Sequence, residues 1–547
     1  MTIQTVASHP FTDQSPGTSG LRKRVQVFQQ PHYLENFIQA LFDVLWGVGQ
    51  SATGQTLVLG GDGRYHNDVA IQTILRMAVA RGYARVWVGQ HGWLSTPAAS
   101  AVIRQRGASG GLVLSASHNP GGPNGDFGIK YNIANGGSAP EHLTQAVFER
   151  SQLVHAYRQA VCDPVPLSDL GEHRVLDTVI EVIDSVHDYA EVLRGCFDFE
   201  AIRRLFQGGF RLRFDAMSAV GGPYAKAIIE GELGAPEGTV VNAQPLVDFA
   251  GRHPDPNPTC AHELMTHMMS PEAPDMGAAS DGDADRNMIL GRGFVVSPAD
   301  SLAVLTAWAH LLPGYRQGVV GVARSMPTAS AVDRVAQALG IPCYETPTGW
   351  KFFGNLLDSG RITLCGEESY GTSSNHVREK DGIWAVLCWL NVVAATGQGV
   401  EELVRGLWQQ HGRCFGARWD YEAVAAADAK NCMEGLRAQI GAWAGQTVHG
   451  RTIERADDFA YTDPVDGSLS SHQGIRLFLQ GGARVVYRLS GTGTQGATLR
   501  VYLEQFEADT QRHDQDAHDA LRGLGQWAAQ VAEIASTTGR EAPSQIT

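Results

Sequence analysis

The chain is short of positive charge, of long apolar runs and of paired cysteines, and each shortage removes a class of function. Among 547 residues, 43 are Lys or Arg and 57 are Asp or Glu, for a formal net charge of −14. A surface of that sign repels a phosphate backbone, so generic nucleic-acid binding is not expected. On such a background a local cluster of arginines points to a small anion rather than to a polymer. No stretch approaches the roughly 18–20 apolar residues of a membrane helix. The first residues, MTIQTVASHPFTDQSPG, have neither a basic n-region nor an apolar run, so no secretory signal is read there. We expect no membrane partner and a cytoplasmic location. The eight cysteines (Cys162, Cys196, Cys260, Cys343, Cys365, Cys388, Cys414 and Cys432) stand singly. Without a C-x-x-C pair neither zinc nor a redox dithiol is indicated, and free thiols in a reducing compartment are expected.

What is present is a globular composition, 43% apolar and 18% charged, which argues against wholesale disorder. The length exceeds what one core sustains and implies about three to four domains. One pattern recurs. Residues 56–62 read as a buried strand, 68–81 as a helix and 84–89 as the next strand. Residues 210–216, 223–233 and 239–243 repeat it, as do 318–324, 330–340 and 341–347. Strand, helix, strand at this spacing marks α/β domains whose sheets are covered by helices. The last quarter differs. Residues 474–491 read as two antiparallel strands joined through Gly481 and Gly482, 497–506 as a third, and 511–537 as a helix. That order suggests an α+β domain, with the polar residues 538–547 expected to fray.

Five segments could carry chemistry. Ser115-Ala116-Ser117-His118-Asn119-Pro120 follows the apolar run 110–114, which puts hydroxyls at a strand end, where α/β domains bind ligands. An ordinary polar turn explains the segment equally well, and nothing local chooses between Ser115 and Ser117. Asp281-Gly282-Asp283-Ala284-Asp285-Arg286 is sharper. Three carboxylates at alternate positions, flanked by apolar residues, can converge on one cation. An EF-hand fails, because Arg286 and Arg292 stand where its Gly and Glu belong. Oxygen-only ligands favour Mg²⁺ over zinc. Gly491-Thr492-Gly493-Thr494-Gln495-Gly496 spells a dinucleotide fingerprint, but a strand follows it instead of a helix. It is better read as a phosphate cradle between Arg488 and Arg500. Residues 366–371 (GEESYG) and 378–382 (REKDG) are polar beyond what turns require, and each is ambiguous alone.

Taken in order, PGTSGLRKRV (16–25), SASHNPGG (115–122), DFGIKYN (126–132), DGDADRNM (281–288), ETPTGWKFFGN (345–355), CGEESYGTSSNHVREKDG (365–382) and RLSGTGTQGATLRVY (488–502) resemble the alpha-D-phosphohexomutase superfamily, most closely its glucose branch. The resemblance implies four domains around a central cleft: three similar α/β mixed-sheet domains over 1–188, 189–300 and 301–405, and a C-terminal α+β domain over 406–547. It selects Ser117 as the phosphoryl carrier, with His118 and Lys130 beside it as catalytic residues. It implies that Asp281, Asp283 and Asp285, with the Ser117 phosphate, hold Mg²⁺. Thr348, Gly349, Glu367 and Ser369 are implied at the sugar hydroxyls. Arg488, Ser490, Gly491, Thr492, Gly493, Thr494 and Arg500 are implied around the non-reacting phosphate. Thr18, Arg22, Arg286, Arg378 and Lys380 match positions in or near the cleft. Two departures are small: Ala284 stands where the branch usually has Gly, which a methyl should permit, and Ser15 where Lys is common.

The implied activity interconverts glucose 1-phosphate and glucose 6-phosphate through a phosphoserine and glucose 1,6-bisphosphate, which acts as intermediate and activator. A small sugar phosphate is the expected partner, and a monomer or weak dimer the expected state. The competing readings are a mutase of mannose or amino-sugar phosphates and an inactive structural paralogue. A dehalogenase-type phosphatase, which also uses D-x-D, would place its nucleophile after a strong strand near the chain start.

Overall fold

The computed structural model describes residues 1–17, 19–490 and 496–547. They form two compact units. The first comprises Met1–Val295, Ala309–Gly318 and Tyr370–Val400, and the second Val296–Trp308, Val319–Ser369 and Glu401–Thr547.

The first unit holds a seven-stranded sheet in the order Leu21–Arg24, Asp126–Ile133, Gly110–Leu114, Thr56–Gly61, Arg85–Trp93, Thr178–Ile183, Gly171–Val175. Its central strands run parallel, as the strand–helix–strand spacing predicts, and Asp126–Ile133 adds antiparallel to Gly110–Leu114. Leu57, Val58 and Leu59 are all buried. A strand covered on both faces reads as this kind of unbroken apolar run. The Asn67–Arg81 helix stops at Gly82, which takes φ 83°, and Ser95 caps the Thr96–Arg106 helix by accepting the Ala98 N–H at 3.2 Å. A second sheet runs Val240–Val241, Leu212–Asp215, Met276–Ser280, Asn287–Gly291, Phe294–Val295. The helix expected over 223–233 is present, but Lys226–Glu232 is wound as a π-helix.

The chemistry-bearing turns follow the carboxyl ends of these strands. Asp62 follows Thr56–Gly61, Ser115 follows Gly110–Leu114, and Asp281 follows Met276–Ser280. The Gly382–Thr396 helix is apolar nearly all round and buried, as a core helix should be. Among the described residues no single helix is long and apolar enough to cross a membrane.

In the second unit, Cys343–Thr346, Val322–Ser325 and Leu364–Glu367 pair in parallel. The middle strand starts later than the expected 318–324, because Gly318 turns at φ 91° and the ladder begins only at Val322. The C-terminal sheet runs Thr447–Val448, Arg451–Asp458, Ile475–Leu479, Ala483–Ser490, Ala497–Glu507, Arg413–Val424, Gln545–Ile546. Its hairpin turns through Gly481 and Gly482 as expected, both at positive φ. The expected helix over 511–537 is broken into Ala517–Val531 and Ile534–Thr538, with Glu533 at φ 47° between them. The end of the chain is not frayed. Gln545 and Ile546 pair with Asp420 and Trp419, and Ser544 N–H reaches the Asp420 carbonyl at 2.7 Å. An edge strand offers unpaired backbone groups, and those partners outweigh the polar side chains.

Gly525 lies on the helix facing Trp419, where an added Cβ would come 2.3 Å from the indole ring. Helix propensity alone favours Gly→Ala by about 1 kcal/mol, whereas overpacking costs about 1–3 kcal/mol. Gly525→Ala is expected to lower the thermal unfolding midpoint, and a raised midpoint in calorimetry would refute this packing.

Candidate active site

Ser115 and Ser117 have different surroundings. The Ser115 hydroxyl donates to Asp62 Oδ2 at 2.6 Å and accepts the Ser117 N–H at 2.7 Å. It is thus committed to building the turn. Ser117 takes φ 53°, a left-handed conformation that costs a non-glycine residue about 1–2 kcal/mol. Its Oγ donates to Asp281 Oδ2 at 2.8 Å and lies 3.4 Å from His118 Nδ1. Arg64 ties the turn down. Wholly buried, it donates to Asp62 at 2.8 Å and to the carbonyls of Ser117, Asn119 and Asp126 at 2.6, 3.3 and 2.9 Å. Asp62 and Arg64 were not singled out from the sequence. The signal was available, since a polar GGDGR follows a buried strand.

The ligand oxygens of Asp281, Asp283 and Asp285 lie within 4.8 Å of one another, and all three residues are buried. Asp281 Oδ1 accepts the N–H groups of Asp285 and Arg286 at 2.9 and 3.1 Å. Asp283 Oδ2 accepts from Thr96 and Lys130, both at 2.6 Å, and Asp285 Oδ2 lies 3.2 Å from Lys380 Nζ. Asp283 Oδ1 and Asp285 Oδ1 are buried without a hydrogen-bond partner among the described residues. Two idle carboxylate oxygens in an all-oxygen cluster fit a hard divalent cation. The electrostatics agree. Burial, then Asp285 and Asp283, push the Asp281 carboxyl well above its usual range. Burial acts the same way on Asp283, but the Lys130 ammonium outweighs it and holds that carboxyl low. Burial would also lower Lys130, yet Asp283, Asp285 and Glu379 keep it above the ordinary lysine range.

Gly282 touches the serine turn so closely that a Cβ there would lie 2.4 Å from the Ser117 carbonyl oxygen. Ala284 sits at φ 62°. The methyl is sterically admitted, as expected, but the backbone is one that favours glycine.

Around these groups lie further cations. His118 is half-buried, and its imidazole is held well below the usual value, by removal from water first and then by Arg286 and Arg22. Arg22 stands opposite Gly128 in the Leu21–Arg24 strand, and Arg286 reaches Asp255 at 3.3 Å. Arg378 is turned onto its own loop, donating to the carbonyls of Asn375 and Val377 at 2.8 and 3.0 Å. Glu379, within the polar 378–382 segment, accepts from Asn132 and Ser138 at 2.9 and 2.8 Å. These residues all belong to the first unit.

The second unit carries the remaining expected residues. Gly349 N–H donates to Glu367 Oε1 at 3.0 Å, and the Thr348 hydroxyl is buried without a partner among the described residues. Ser369 is half-buried in the turn after Glu367. Glu368 accepts from Ser325 at 2.8 Å and from Tyr502 at 3.2 Å. Arg488 donates from Nε to the Gln473 carbonyl at 3.0 Å, and Arg500 Nε lies 3.6 Å from Asp420. Ser490 ends its strand beside the loop. Thr18, Gly491, Thr492, Gly493 and Thr494 lie outside the described residues.

Comparison with known proteins matches four successive stretches of the chain. Residues 13–157, 187–293 and 298–411 match the phosphoglucomutase/phosphomannomutase alpha/beta/alpha domains I, II and III, and 413–544 match the phosphoglucomutase-1 C-terminal domain. The chain is 54% identical to a phosphoglucomutase of Rhizobium radiobacter over 545 residues, covering 100% of both chains. It is 50% identical to phosphoglucomutase-1 of Homo sapiens over 565 residues, again covering 100% of each. Among solved structures it resembles the exocytosis-sensitive phosphoprotein pp63/parafusin (phosphoglucomutase) of Paramecium in its open form. The TM-score is 0.91 at 44% identity, covering 100% of this chain and 99% of that one.

Because Gly282 abuts the Ser117 carbonyl, Gly282→Ala is expected to push the carboxylate turn off the serine turn. Calorimetric titration with a divalent cation should show affinity at least about tenfold weaker, within the range for lost support of a metal site. Unchanged affinity in a folded variant would contradict the close approach.

Proposed function

The chain belongs to the alpha-D-phosphohexomutase superfamily, in its phosphoglucomutase branch, and from that premise we propose that it carries the phosphoryl group on Ser117. Its activity is that of a phosphoglucomutase, an isomerase that interconverts glucose 1-phosphate and glucose 6-phosphate. The observation that supports the assignment to Ser117 is its 2.8 Å contact with Asp281, inside the buried carboxylate trio.

We read Asp281, Asp283, Asp285 and the phosphorylated Ser117 as the ligands of Mg²⁺. When bound, that ion stabilises charge on the transferring phosphoryl oxygens. The rest falls to the chain. In the forward direction the bond from phosphorus to Ser117 Oγ breaks as the 6-hydroxyl oxygen of glucose 1-phosphate bonds to phosphorus. This forms glucose 1,6-bisphosphate. The bisphosphate then turns over, and Ser117 Oγ gives up its proton and bonds to the phosphorus of the 1-phosphate as the bond from that phosphorus to O1 breaks; O1 takes a proton and glucose 6-phosphate leaves. The hydroxyl proton needs an acceptor within reach. His118 suits that role better than Lys130, because its ring is held neutral while Lys130 is engaged as a cation on Asp283. Arg22, Arg286 and Lys380 are the cations that would offset the charge of the transferring group.

In the second unit, Thr348, Gly349, Glu367 and Ser369 are our candidates for the sugar hydroxyls. Arg488, Ser490 and Arg500, with the loop that follows Ser490, are those for the non-reacting phosphate. This part of the reading rests on the resemblance. We also place the protein in the cytoplasm, a setting supported by eight free cysteines.

Intact-mass measurement of the purified protein should find a fraction about 80 Da heavier, one phosphoryl group, that is absent from Ser117→Ala. Ser117→Ala should also lose turnover of glucose 1-phosphate, and full turnover in that variant would end the phosphoserine proposal. Chelation with EDTA should abolish turnover and added Mg²⁺ restore it, whereas activity indifferent to EDTA would remove the metal from the reading.

A further inference from the structure

Within the first unit, a loop that follows Val240–Val241 of the second sheet reaches the serine turn. It makes two contacts there, and each touches the same two segments. The Val247 carbonyl accepts the Tyr65 N–H at 2.8 Å and the Gly122 N–H at 3.1 Å. The Phe249 ring faces the Arg64 guanidinium, with Cζ 5.1 Å from the ring centroid, and it also covers Gly121, where a Cβ would come 2.9 Å from it. Residues 64–65 follow the Thr56–Gly61 strand, and residues 121–122 close the segment that carries Ser117. The loop thus clamps the turn to the segment that ties it down.

The backbone of the loop is bent to do this. Phe249, Ala250 and Gly251 take φ 54°, 59° and 72° in succession. Two of the three carry a Cβ, which disfavours a left-handed conformation. Strain of this kind persists where the surroundings fix it, and it gathers where geometry matters to function. Asp248 supports the bend locally, accepting the Ala250 N–H on its side chain at 3.1 Å and the Gly251 N–H on its carbonyl at 3.0 Å. The bend turns one ring inward. Phe249 is wholly buried, whereas Leu246 and Val247 just before it are 41% and 53% exposed.

Arg64 explains why a ring is placed there. Its hydrogen bonds to Asp62 and to the carbonyls of Ser117, Asn119 and Asp126 are donated in the plane of the guanidinium. They resist sliding within that plane and leave its face free to tilt. An aromatic face against a desolvated guanidinium is attractive and opposes the tilt.

We propose that Phe249 is a positioning residue for phosphoryl transfer: it locks the plane of Arg64 and, through Arg64, the carbonyl and left-handed backbone of Ser117. The inference rests on the reading that Ser117 carries the phosphoryl group.

The test compares Phe249→Leu, Phe249→Ala, Phe42→Leu and Ser117→Ala in the full-length protein. Phe42 is an equally buried ring, packed on Tyr83 in the Tyr33–Trp46 helix, and serves as the matched core lesion. The readouts are the thermal midpoint and, well below it, kcat and KM for glucose 1-phosphate. Small misplacement of a reacting group predicts that Phe249→Leu lowers kcat about tenfold or more, with no rise in KM. Phe249→Ala should lower kcat further, and Phe42→Leu should lower the midpoint with kcat unchanged. If Phe249 only fills space, folded Phe249→Leu will match Phe42→Leu, with a lower midpoint and the original kcat, which overturns the inference. A rise in KM at unchanged kcat overturns it as well. If Ser117→Ala loses turnover while both folded Phe249 variants keep it, the inference alone falls. If Ser117→Ala keeps turnover, the phosphoserine reading falls, and the Phe249 proposal with it.

Discussion

Three carboxylates within 4.8 Å of one another, in a turn closed to solvent, are the constraint on which the candidate site of the first unit depends. Left alone, each buried charge would cost several kcal/mol. The fold answers with Lys130 on Asp283, Lys380 on Asp285 and the backbone N–H groups of Asp285 and Arg286 on Asp281. That compensation is incomplete, since one oxygen each of Asp283 and Asp285 stays idle and Asp281 is driven toward protonation. A phosphoryl group on Ser117 would add about −1.5 to −2 charges. A divalent cation would add the opposite. Each would be badly placed without the other, so under the proposed function the electrostatics of the turn would couple occupancy by metal to phosphorylation of the serine.

Holding that arrangement requires backbone in unfavourable conformations, and the surrounding structure supplies the restraint. Ser117 and Ala284 both occupy left-handed conformations, on the two facing turns. Gly282 lets those turns touch. Arg64 joins Asp62, at the end of one parallel strand, to the carbonyls of Ser117, Asn119 and Asp126. One buried side chain thereby satisfies several carbonyls that a turn of this shape leaves without strand partners. The strands are unbroken apolar runs because both of their faces are covered. The polar residues that follow them mark the places where that cover ends.

What the sequence discloses depends on how local the structure is. The strand–helix–strand units and the Asp281–Asp285 turn are local in sequence, and both could be read from spacing. The distinction between Ser115 and Ser117 was not. It is made by Asp62 and Asp281, residues remote in the chain that accept from one hydroxyl and the other. The terminal residues were misjudged as frayed because polarity describes side chains. Their order comes from backbone pairing to Arg418 and Asp420. The Arg413–Val424 strand has no counterpart in the sequence reading, although its residues 418–421 alternate polar and apolar.

Motif letters carry chemistry only through what surrounds them. Ser374, His376 and Asp381 form a hydrogen-bonded line, with Ser374 Oγ 2.8 Å from His376 Nδ1 and His376 Nε2 2.9 Å from Asp381. By letters this is a hydrolase triad. Yet the Ser374 hydroxyl is also 2.6 Å from Tyr315, Asp381 accepts from Tyr189 and from the Trp384 N–H, Ser374 and Asp381 are buried, and the His376 side chain is nearly closed to solvent. Every polar atom named there already has a partner, so the line can only brace the turn that presents Lys380 to Asp285. Ser117 is equally buried, but it faces a cluster in which carboxylate oxygens have no partner. Burial does not separate the hydroxyl proposed to carry the phosphoryl group from the structural one. Unsatisfied acceptors beside it do, because they leave a cation something to bind, and a cation there would in turn attract a phosphoryl group.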